Sequence, residues 1–190
     1  MGCCAGCGEA PALSCNARAG IATPSSTRAY DAPAVLAIPS VRLATPGDAY
    51  AIAALSRDFI EYGLGWSYTP NRILRAIRSR TTNVAVVSEH NQLLAAGIME
   101  YGETTAHLVL LGVQPGQRRR GLGRHVLLWL EECALVAGLE RVGVEARADN
   151  PGAIDFYLGQ GYGIHARVPG YYRGVVDGVR LEKRLGGRDE

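Results

Sequence analysis

One strand–turn–helix segment near the middle of the chain constrains the fold more than any other feature. An apolar stretch over 108–113 predicts a strand, and apolar residues spaced three and four apart predict a helix from Val126 to Ala137. The turn between them reads Gln117-Arg118-Arg119-Arg120-Gly121-Leu122-Gly123. Glycines let backbone N–H groups approach a ligand closely, and a helix N-terminus adds positive charge. The segment therefore predicts a cradle for a phosphate-bearing ligand, which we expect to be a pyrophosphate-containing cofactor.

The composition of the cradle narrows the choice of ligand. Its cationic side chains, which add charge and bidentate donors, are Arg118, Arg119, Arg120 and Arg124. A Walker loop is excluded because no Gly-Lys-Ser/Thr follows, and a dinucleotide fingerprint is disfavoured because Val126 stands where a third small residue is needed. A solvated arginine turn that only caps a helix remains the alternative.

Length and charge limit the class of protein. A chain of 190 residues with 47% hydrophobic residues is enough for one domain. The formal net charge of +2 is too small to indicate a general nucleic-acid binder, and no apolar run approaches the ~20 residues of a membrane span. Cys4-x-x-Cys7 lacks a second cysteine pair, so no metal site is predicted. We expect a cytoplasmic monomer or homodimer with reduced thiols and no membrane or specific nucleic-acid partner.

The chain divides into an irregular beginning and a patterned remainder. Residues 1–40 are rich in Ala, Gly, Pro, Ser and Thr without periodicity, and are predicted to be a disordered extension. Residues 41–186 form the predicted domain. Its predicted element order is β, α, α, three β, α, β, α, two β, in which one βαβ crossover surrounds the cradle. The expected fold class is α+β with a mixed, mostly antiparallel sheet.

Helix and hairpin signals support this order. A capping residue followed by proline predicts three helix starts, at Thr45-Pro46, Thr69-Pro70 and Asn150-Pro151. The His90-Asn91 dipeptide between two apolar runs predicts a hairpin turn. The first helix is expected to bury an apolar stripe of Ile52, Leu55, Phe59 and Ile60.

Three motifs occur in the order found in the GNAT N-acetyltransferase superfamily. The segment Val113-Gln114-Pro115-x-x-Arg118-x-x-Gly121-x-Gly123 resembles the family's acyl-CoA pyrophosphate loop, with Gln114 in place of Asp. The segment 144–157, together with Gly161-Tyr162, resembles the Leu-Glu-Val-Arg-x-x-Asn-x-x-Ala-Ile-x-x-Tyr signature and the Gly-Phe/Tyr that ends it. Tyr171-Tyr172 resembles the Tyr-Tyr loop of the RimI-like N-terminal acetyltransferases. The resemblance covers residues 41–185 and implies the GNAT fold.

The resemblance also implies a chemistry, which is direct acetyl transfer from acetyl-CoA to a primary amine in a ternary complex. It assigns the cofactor to the end of the strand, the cradle and a helix cap, namely Leu111, Gly112, Val113, Arg118, Arg119, Arg120, Gly121, Leu122, Gly123, Arg124 and Asn150. The family strand bulges at this point, which Gly112 would suit, although a packing glycine is an equal alternative.

Two residues are candidate acid and base. Glu145 ends an apolar strand, so we expect partial desolvation and a raised pKa, and the resemblance implies a role as general base. The alternative is a surface carboxylate paired with Arg147 or Arg141. Tyr157 faces inward on its helix, and the resemblance implies that it protonates the CoA thiolate; the alternative is a core tyrosine. His107 and His125 are expected to be structural or exposed.

The acceptor is the least constrained part of the prediction. An α-amine has a pKa of ~7.7–8.0 and lysine of ~10.4, so deprotonating lysine costs roughly 3.5 kcal/mol more. This difference favours the α-amine of a protein or peptide N-terminus, or a small-molecule amine of similarly low pKa, as the acceptor. Tyr62, Trp66, Tyr171 and Tyr172 are candidate groove residues, or ordinary loop aromatics, and the adjacent Tyr171 and Tyr172 should point to opposite sides. The rival functions are a non-catalytic acyl-CoA-binding GNAT module and a nucleic-acid binder that uses the arginine run.

Overall fold

The computed structural model describes residues 39–186 and contains one twisted seven-stranded sheet. Its strands are β1 (Val41–Leu43), β2 (Thr82–Glu89), β3 (Gln92–Tyr101), β4 (Thr105–Val113), β5 (Arg141–Arg147), β6 (Gly163–Tyr172) and β7 (Val176–Arg184). They lie in the order β1-β2-β3-β4-β5-β7-β6, with β4 and β5 parallel and every other pair antiparallel. This arrangement confirms the predicted fold class and element order. The disordered extension was predicted over residues 1–40, of which residues 1–38 fall outside the described part of the chain.

Within residues 39–186 four α-helices flank the sheet, and each of the three predicted proline signals lies where a helical segment begins. They are α1 (Ala49–Leu55), α2 (Pro70–Arg78), α3 (Leu122–Val136) and α4 (Pro151–Leu158). Pro46 opens a 3-10 turn directly before α1, whereas Pro70 and Pro151 are the first residues of α2 and α4. The Asn150 side-chain oxygen accepts a 3.1 Å hydrogen bond from the Ala153 N–H, so the predicted cap of α4 is confirmed.

Alternating side chains of the strands supply two apolar cores, one on each face of the sheet. On one face α3 and α4 pack on the sheet, and this core includes Ala95, Met99, Leu108, Val126, Leu127, Leu130, Val142 and Val144. On the other face α1 and α2 cover the sheet around Ile52, Leu55, Ile73, Val84, Val86, Ile98 and Leu110. The β4–β5 crossover through α3 places the helix N-terminus at the carboxyl ends of the two parallel strands.

The first helix departs from the prediction at its C-terminal end. It continues from α1 into a π-helical turn over Ser56–Ile60, closed by a 2.8 Å bond from the Glu61 N–H to the Ser56 carbonyl. The wider turn rotates the side chains that follow it away from the 3.6-residue period. Phe59 is consequently 44% exposed rather than part of the buried stripe, while Ile60 still packs against the second core.

A buried ion pair joins α3 to β7. Glu131 lies inside the first core at 6% exposure, and its carboxylate accepts a 2.9 Å hydrogen bond from the Tyr162 hydroxyl. Lys183, the only lysine of the chain, lies 2.6 Å from the other carboxylate oxygen. Both charges are therefore compensated, as buried charges must be, and Tyr162 ties the end of α4 to the same cluster.

Candidate active site

The parallel strands β4 and β5 separate at their carboxyl ends. They pair over only four positions, from Thr105 opposite Arg141 to Leu108 opposite Val144, although β4 continues to Val113. The separation begins where the β3–β4 register shifts and Val109 is skipped. An opening between the carboxyl ends of parallel strands is the usual position of a ligand site in a sheet of this type.

The bulge of β4 lies three residues before the glycine that was expected to suit it. It falls at Val109, and Gly112 is a packing glycine. A Cβ atom on Gly112 would lie 2.7 Å from Ile60 Cδ1 and 3.2 Å from Leu55 Cδ2, so the absence of a side chain lets the first helical segment approach β4. Because of the bulge, Leu111 and Val113 pack against the core below α3.

The predicted cradle follows β4 directly. A 3-10 turn over Pro115–Gln117 leads into Arg119, with φ of 64°, and Gly121, with φ of 79°, before α3 begins. A left-handed conformation is unusual for arginine and marks local strain that the fold must support. Left-handed residues between right-handed or extended ones turn successive N–H groups towards one concave surface, which suits an anion.

The side chains around the cradle divide into two groups. Leu122 is 1% exposed and Gly123 would place a Cβ 3.3 Å from Val113 Cγ2, so these residues fix α3 against β4 and offer a ligand only backbone. The four arginines of the cradle are exposed. Arg118 Nε lies 3.4 Å from the Val113 carbonyl oxygen, and Arg124 Nε donates to Gln160 at 3.1 Å.

The cradle arginines keep their charge available for a ligand. Arg120 donates to Gln117, a neutral partner. Within residues 39–186 none of the four forms an ion pair with a carboxylate. Strained backbone, a 15-residue helix and uncompensated arginines together fit a pyrophosphate group.

Glu145 lies beside the opening, on the face of the sheet opposite α3. Its neighbours Val144 and Ala146 point into the core, so its own side chain points the other way and is 13% exposed. Glu145 Oε2 lies 2.5 Å from His107 Nε2, and Oε1 lies 3.3 Å from Arg180 Nε. The expected alternative partners are engaged elsewhere, because Arg147 pairs with Asp149 and Arg141 with Glu182.

The pKa of Glu145 shifts in the direction opposite to the expectation. Burial alone would raise it, as predicted, but the hydrogen bond and charge of His107 and the charge of Arg180 outweigh burial. The pKa of Glu145 is therefore lowered below its ordinary value. The same hydrogen bond raises the pKa of His107 against the opposing effect of its own burial.

His107 is the functional candidate that the sequence analysis set aside. It stands opposite Glu100 of β3 and opposite Gly143 of β5, and Glu145 stands opposite Arg180 of β7. The four titratable side chains thus form a row across four neighbouring strands. The alternation of each strand in the sequence could predict which face each of these side chains lies on. Only the pairing register of β4 with β5 shows that His107 and Glu145 are neighbours.

Tyr157 faces inward, as its helical position predicted. It is 7% exposed, and its ring packs edge-on against Phe156 at 5.2 Å and Tyr162 at 5.5 Å between ring centres. Burial, and secondarily the nearby Tyr172 hydroxyl, raise the pKa of Tyr157, so the hydroxyl keeps its proton at neutral pH.

Tyr171 and Tyr172 lie in β6, and their rings do not point to opposite sides. The ring centres are 5.0 Å apart in an edge-to-face arrangement. The β6–β7 register breaks between Val168 and Tyr172, and Gly170 has a φ of 62°, so the strand loses its alternation here. The Tyr172 hydroxyl donates a 3.1 Å hydrogen bond to the Glu145 carbonyl, whereas Tyr171 is 40% exposed.

The α1–α2 loop meets the β6–β7 hairpin. A Cβ on Gly65 would lie 2.7 Å from the Arg173 guanidinium, and Arg147 Nη1 donates to the Tyr62 carbonyl at 3.0 Å. Tyr62 is 77% exposed and Trp66 is 40% exposed. The two loops therefore meet beside the carboxyl end of β5, the strand that carries Glu145.

Glu61 organises this loop, and the sequence analysis missed it. Its carboxylate accepts hydrogen bonds from the Ser56 hydroxyl at 2.9 Å, the Ser67 N–H at 2.9 Å and the Tyr68 N–H at 3.0 Å, and also from the Ser67 hydroxyl. Burial would raise the pKa of Glu61, but these donors together lower it. A single charged residue thus closes the loop on itself.

Comparison with known proteins identifies the family. Residues 52–162, more than half of the chain, match the model of the acetyltransferase (GNAT) family. This chain belongs to the acetyltransferase (GNAT) family. The assignment confirms the predicted superfamily, the predicted enzyme class, an acetyltransferase, and the predicted cofactor, acetyl-CoA.

Individual GNAT relatives resemble the chain to different extents. The N-terminal acetyltransferase B complex catalytic subunit naa20 of Schizosaccharomyces pombe is 40% identical over 70 residues, which span 37% of this chain and 39% of that protein. Ard1 from Thermoplasma volcanium superposes with a TM-score of 0.68 at 22% identity, covering 78% of this chain and 98% of Ard1. The protein yncA from Salmonella typhimurium, solved with its cofactor acetyl-CoA, has a TM-score of 0.67 at 17% identity over 80% of this chain and 96% of its own. The two structural similarities establish the GNAT fold.

None of the helices within residues 39–186 combines the length and apolar character needed to cross a bilayer.

Proposed function

We propose that this protein is an acetyl-CoA-dependent N-acetyltransferase that acetylates the α-amine of polypeptide N-termini, and that its GNAT domain extends over residues 41–186. One observation carries the proposal. At the opening between the carboxyl ends of β4 and β5, the anion cradle follows the end of β4, and Glu145, paired with His107, lies near the end of β5. A donor held by the cradle and an amine held by the aromatic loops would meet in that opening. The similarity to the catalytic subunit naa20, an N-terminal acetyltransferase, supports the choice of acceptor.

The cradle would hold the donor through its pyrophosphate. Backbone N–H groups around Arg119 and Gly121 and the N-terminus of α3 would bind the phosphates, and the guanidinium groups of Arg118 and Arg124 would add charge. Acetyl-CoA supplies the acetyl group as a thioester and departs as the thiol. On β4 beyond the bulge, a backbone N–H near Gly112 would polarise the thioester carbonyl.

The proton transfers fall to side chains on either side of the opening. Tyr157 keeps its proton because burial raises its pKa, so it would protonate the departing sulfur. Glu145 would accept a proton from the acceptor amine. A lowered pKa makes a carboxylate a weak base, and each unit of mismatch costs about 1.4 kcal/mol. An α-amine of pKa ~8 is therefore a far easier acceptor than lysine of ~10.4.

The aromatic loops would bind the acceptor. Tyr62 and Trp66 expose ring surface on one side, and Tyr171 and Tyr172 present an edge-to-face pair on the other. Aromatic rings offer large apolar contact area at low entropic cost, which suits the first side chains of an extended peptide. We also propose that the protein belongs to the RimI-like branch and acts in the cytoplasm.

Two peptides test the proposed acceptor. A short peptide with a free α-amine and no lysine is incubated with acetyl-CoA, in parallel with a peptide of the same length whose N-terminus is blocked and which carries one lysine. We expect mass spectrometry to show acetylation of the first peptide and little of the second. Acetylation of the lysine peptide alone would overturn the choice of acceptor.

The variant Tyr157→Phe separates an enzyme from a non-catalytic acyl-CoA-binding module. It should bind acetyl-CoA as wild type does and turn over slowly. If the wild-type protein binds acetyl-CoA but acetylates none of a broad panel of amines, it is a non-catalytic acyl-CoA-binding module. Filter binding of DNA and RNA with a salt titration tests the nucleic-acid alternative, for which a steep salt dependence would be required.

A further inference from the structure

The carboxylate of Glu145 is already engaged on both oxygens. His107 occupies Oε2 at 2.5 Å and Arg180 approaches Oε1 at 3.3 Å. At 13% exposure, the side chain has little contact with solvent. A proton that reaches Glu145 from the amine therefore needs a way out of the opening before the next turnover.

His107 provides such a way. Its side chain is 40% exposed, three times the exposed fraction of the carboxylate that it contacts. With Nε2 directed at Glu145, the second ring nitrogen, Nδ1, lies over Gly143, where a Cβ would stand only 3.4 Å away. A larger residue at 143 would crowd the ring. One nitrogen of the imidazole thus faces the carboxylate while the ring edge reaches solvent.

We propose that Glu145 and His107 form a proton relay, in which Glu145 takes the proton of the acceptor amine and His107 passes it to solvent. The inference rests on the proposed N-acetyltransferase function and deepens it. His107 acts through Glu145 and is a positioning and relay residue, because it stands on the far side of the carboxylate from the opening.

The charges around the pair favour this direction of transfer. Glu100 faces His107 from β3, Arg180 faces Glu145 from β7, and Tyr171 lies beside Glu145 from β6. Glu100 stabilises a protonated imidazole, whereas Arg180 opposes it and keeps the carboxylate ionised. A raised pKa of His107 and a lowered pKa of Glu145 both favour the proton on the imidazole over the carboxylate, so a proton that reaches Glu145 moves on to His107 whenever the ring is neutral.

The proton count of one turnover is complete with this relay. An acceptor in the ammonium form loses two protons as its nitrogen forms the bond to the acetyl carbon and the carbon–sulfur bond breaks. One proton replaces the proton that Tyr157 gives to the departing sulfur. The other leaves through Glu145 and His107, so the two side chains return to their starting state.

The test compares His107→Gln with wild type over a pH series, with His165→Asn as the matched control because His165 is an exposed histidine on the edge strand β6. Acetyl-CoA affinity, measured by calorimetry, should be the same in all three proteins. We expect kcat/KM of H107Q to fall roughly 10²-fold at neutral pH, the low end of proton-transfer contributions, with recovery at high pH where free amine is abundant. Added imidazole should restore part of the rate in His107→Ala.

A readout that does not depend on turnover accompanies the kinetics. The titration of the His107 ring is followed by NMR in wild type and in Glu145→Gln, which should lower the His107 pKa. A parallel pH profile in H107Q and wild type, without imidazole rescue, would overturn the relay even if acetylation is normal. Absence of any acetylation by wild type would instead overturn the proposed function, and the relay with it.

Discussion

The Tyr172 hydroxyl donates a 3.1 Å hydrogen bond to the backbone carbonyl of Glu145, at the point where β5 no longer pairs with β4. This bond ties the end of β6 to the strand that carries the candidate base. The Tyr172 hydroxyl therefore supplies the hydrogen-bond donor that the Glu145 carbonyl lacks where β5 is no longer paired with β4. We therefore expect this hydrogen bond to help position the Glu145 side chain.

Replacing Tyr172 with Phe tests that support. The ring and its contact with Tyr171 remain, but one half-buried hydrogen bond is lost. We expect the free energy of unfolding to fall by about 0.5–1.5 kcal/mol, measured by urea denaturation, and kcat/KM to fall as Glu145 becomes less well placed. Tyr50→Phe is the control, because Tyr50 is 73% exposed on α1 and should change neither quantity.

Replacing Tyr157 with Phe should separate catalysis from stability. General acid catalysis contributes ~10²–10⁴-fold, so kcat should fall within that range while the fold is kept. Tyr162→Phe is the matched variant, since both are buried tyrosines whose rings touch. Its hydroxyl binds Glu131, so its loss should lower unfolding free energy by about 1–3 kcal/mol and leave kcat near wild type. If Tyr157→Phe instead lowers the free energy of unfolding and leaves kcat unchanged, Tyr157 has only a structural role. Stopped-assay kinetics and urea denaturation measure the two quantities.

Removing the side chains of Arg118 and Arg119 together should weaken acetyl-CoA binding. Each guanidinium near the pyrophosphate adds a charge-assisted contact, typically ~1.5–3 kcal/mol, and solvent exposure will reduce this. Isothermal calorimetry at two salt concentrations measures the loss. The double variant Arg75→Ala with Arg78→Ala, both exposed on α2, removes the same charge elsewhere. Equal losses in the two double variants would show a general charge effect and no cradle.

Asp48 makes a specific contribution to acid stability. Its bidentate pair with Arg42, at 2.8 and 2.9 Å, lowers the pKa of Asp48 from 3.8 to about 2. A carboxylate with a lowered folded-state pKa stabilises the protein above its unfolded pKa, and this contribution is lost as pH falls through the folded value. The stability difference between wild type and Asp48→Asn should therefore be constant above about pH 5 and shrink towards pH 2. Urea unfolding across that range measures it, and a constant difference down to pH 2 would exclude this linkage.

Local signals in the sequence determined most of the architecture. The proline-led starts at Pro46, Pro70 and Pro151, the hairpin turn and the glycine-rich cradle each depend on residues within a few positions of one another. Such signals need no knowledge of distant contacts, because backbone preferences and capping bonds act locally. The motifs around the cradle and Glu145 identified the family for the same reason.

Only the tertiary structure decided the pairing of Glu145 with His107, the side on which Tyr171 lies and the exposure of Phe59. The first depends on the register of β4 with β5, two strands that are separated in the chain by a whole helix. The second depends on a break in β6, and the third on a π-helical turn that the 3.6-residue period does not anticipate. Long-range register and local irregularity are set by packing, so the charge state of the site could be read only from the folded chain.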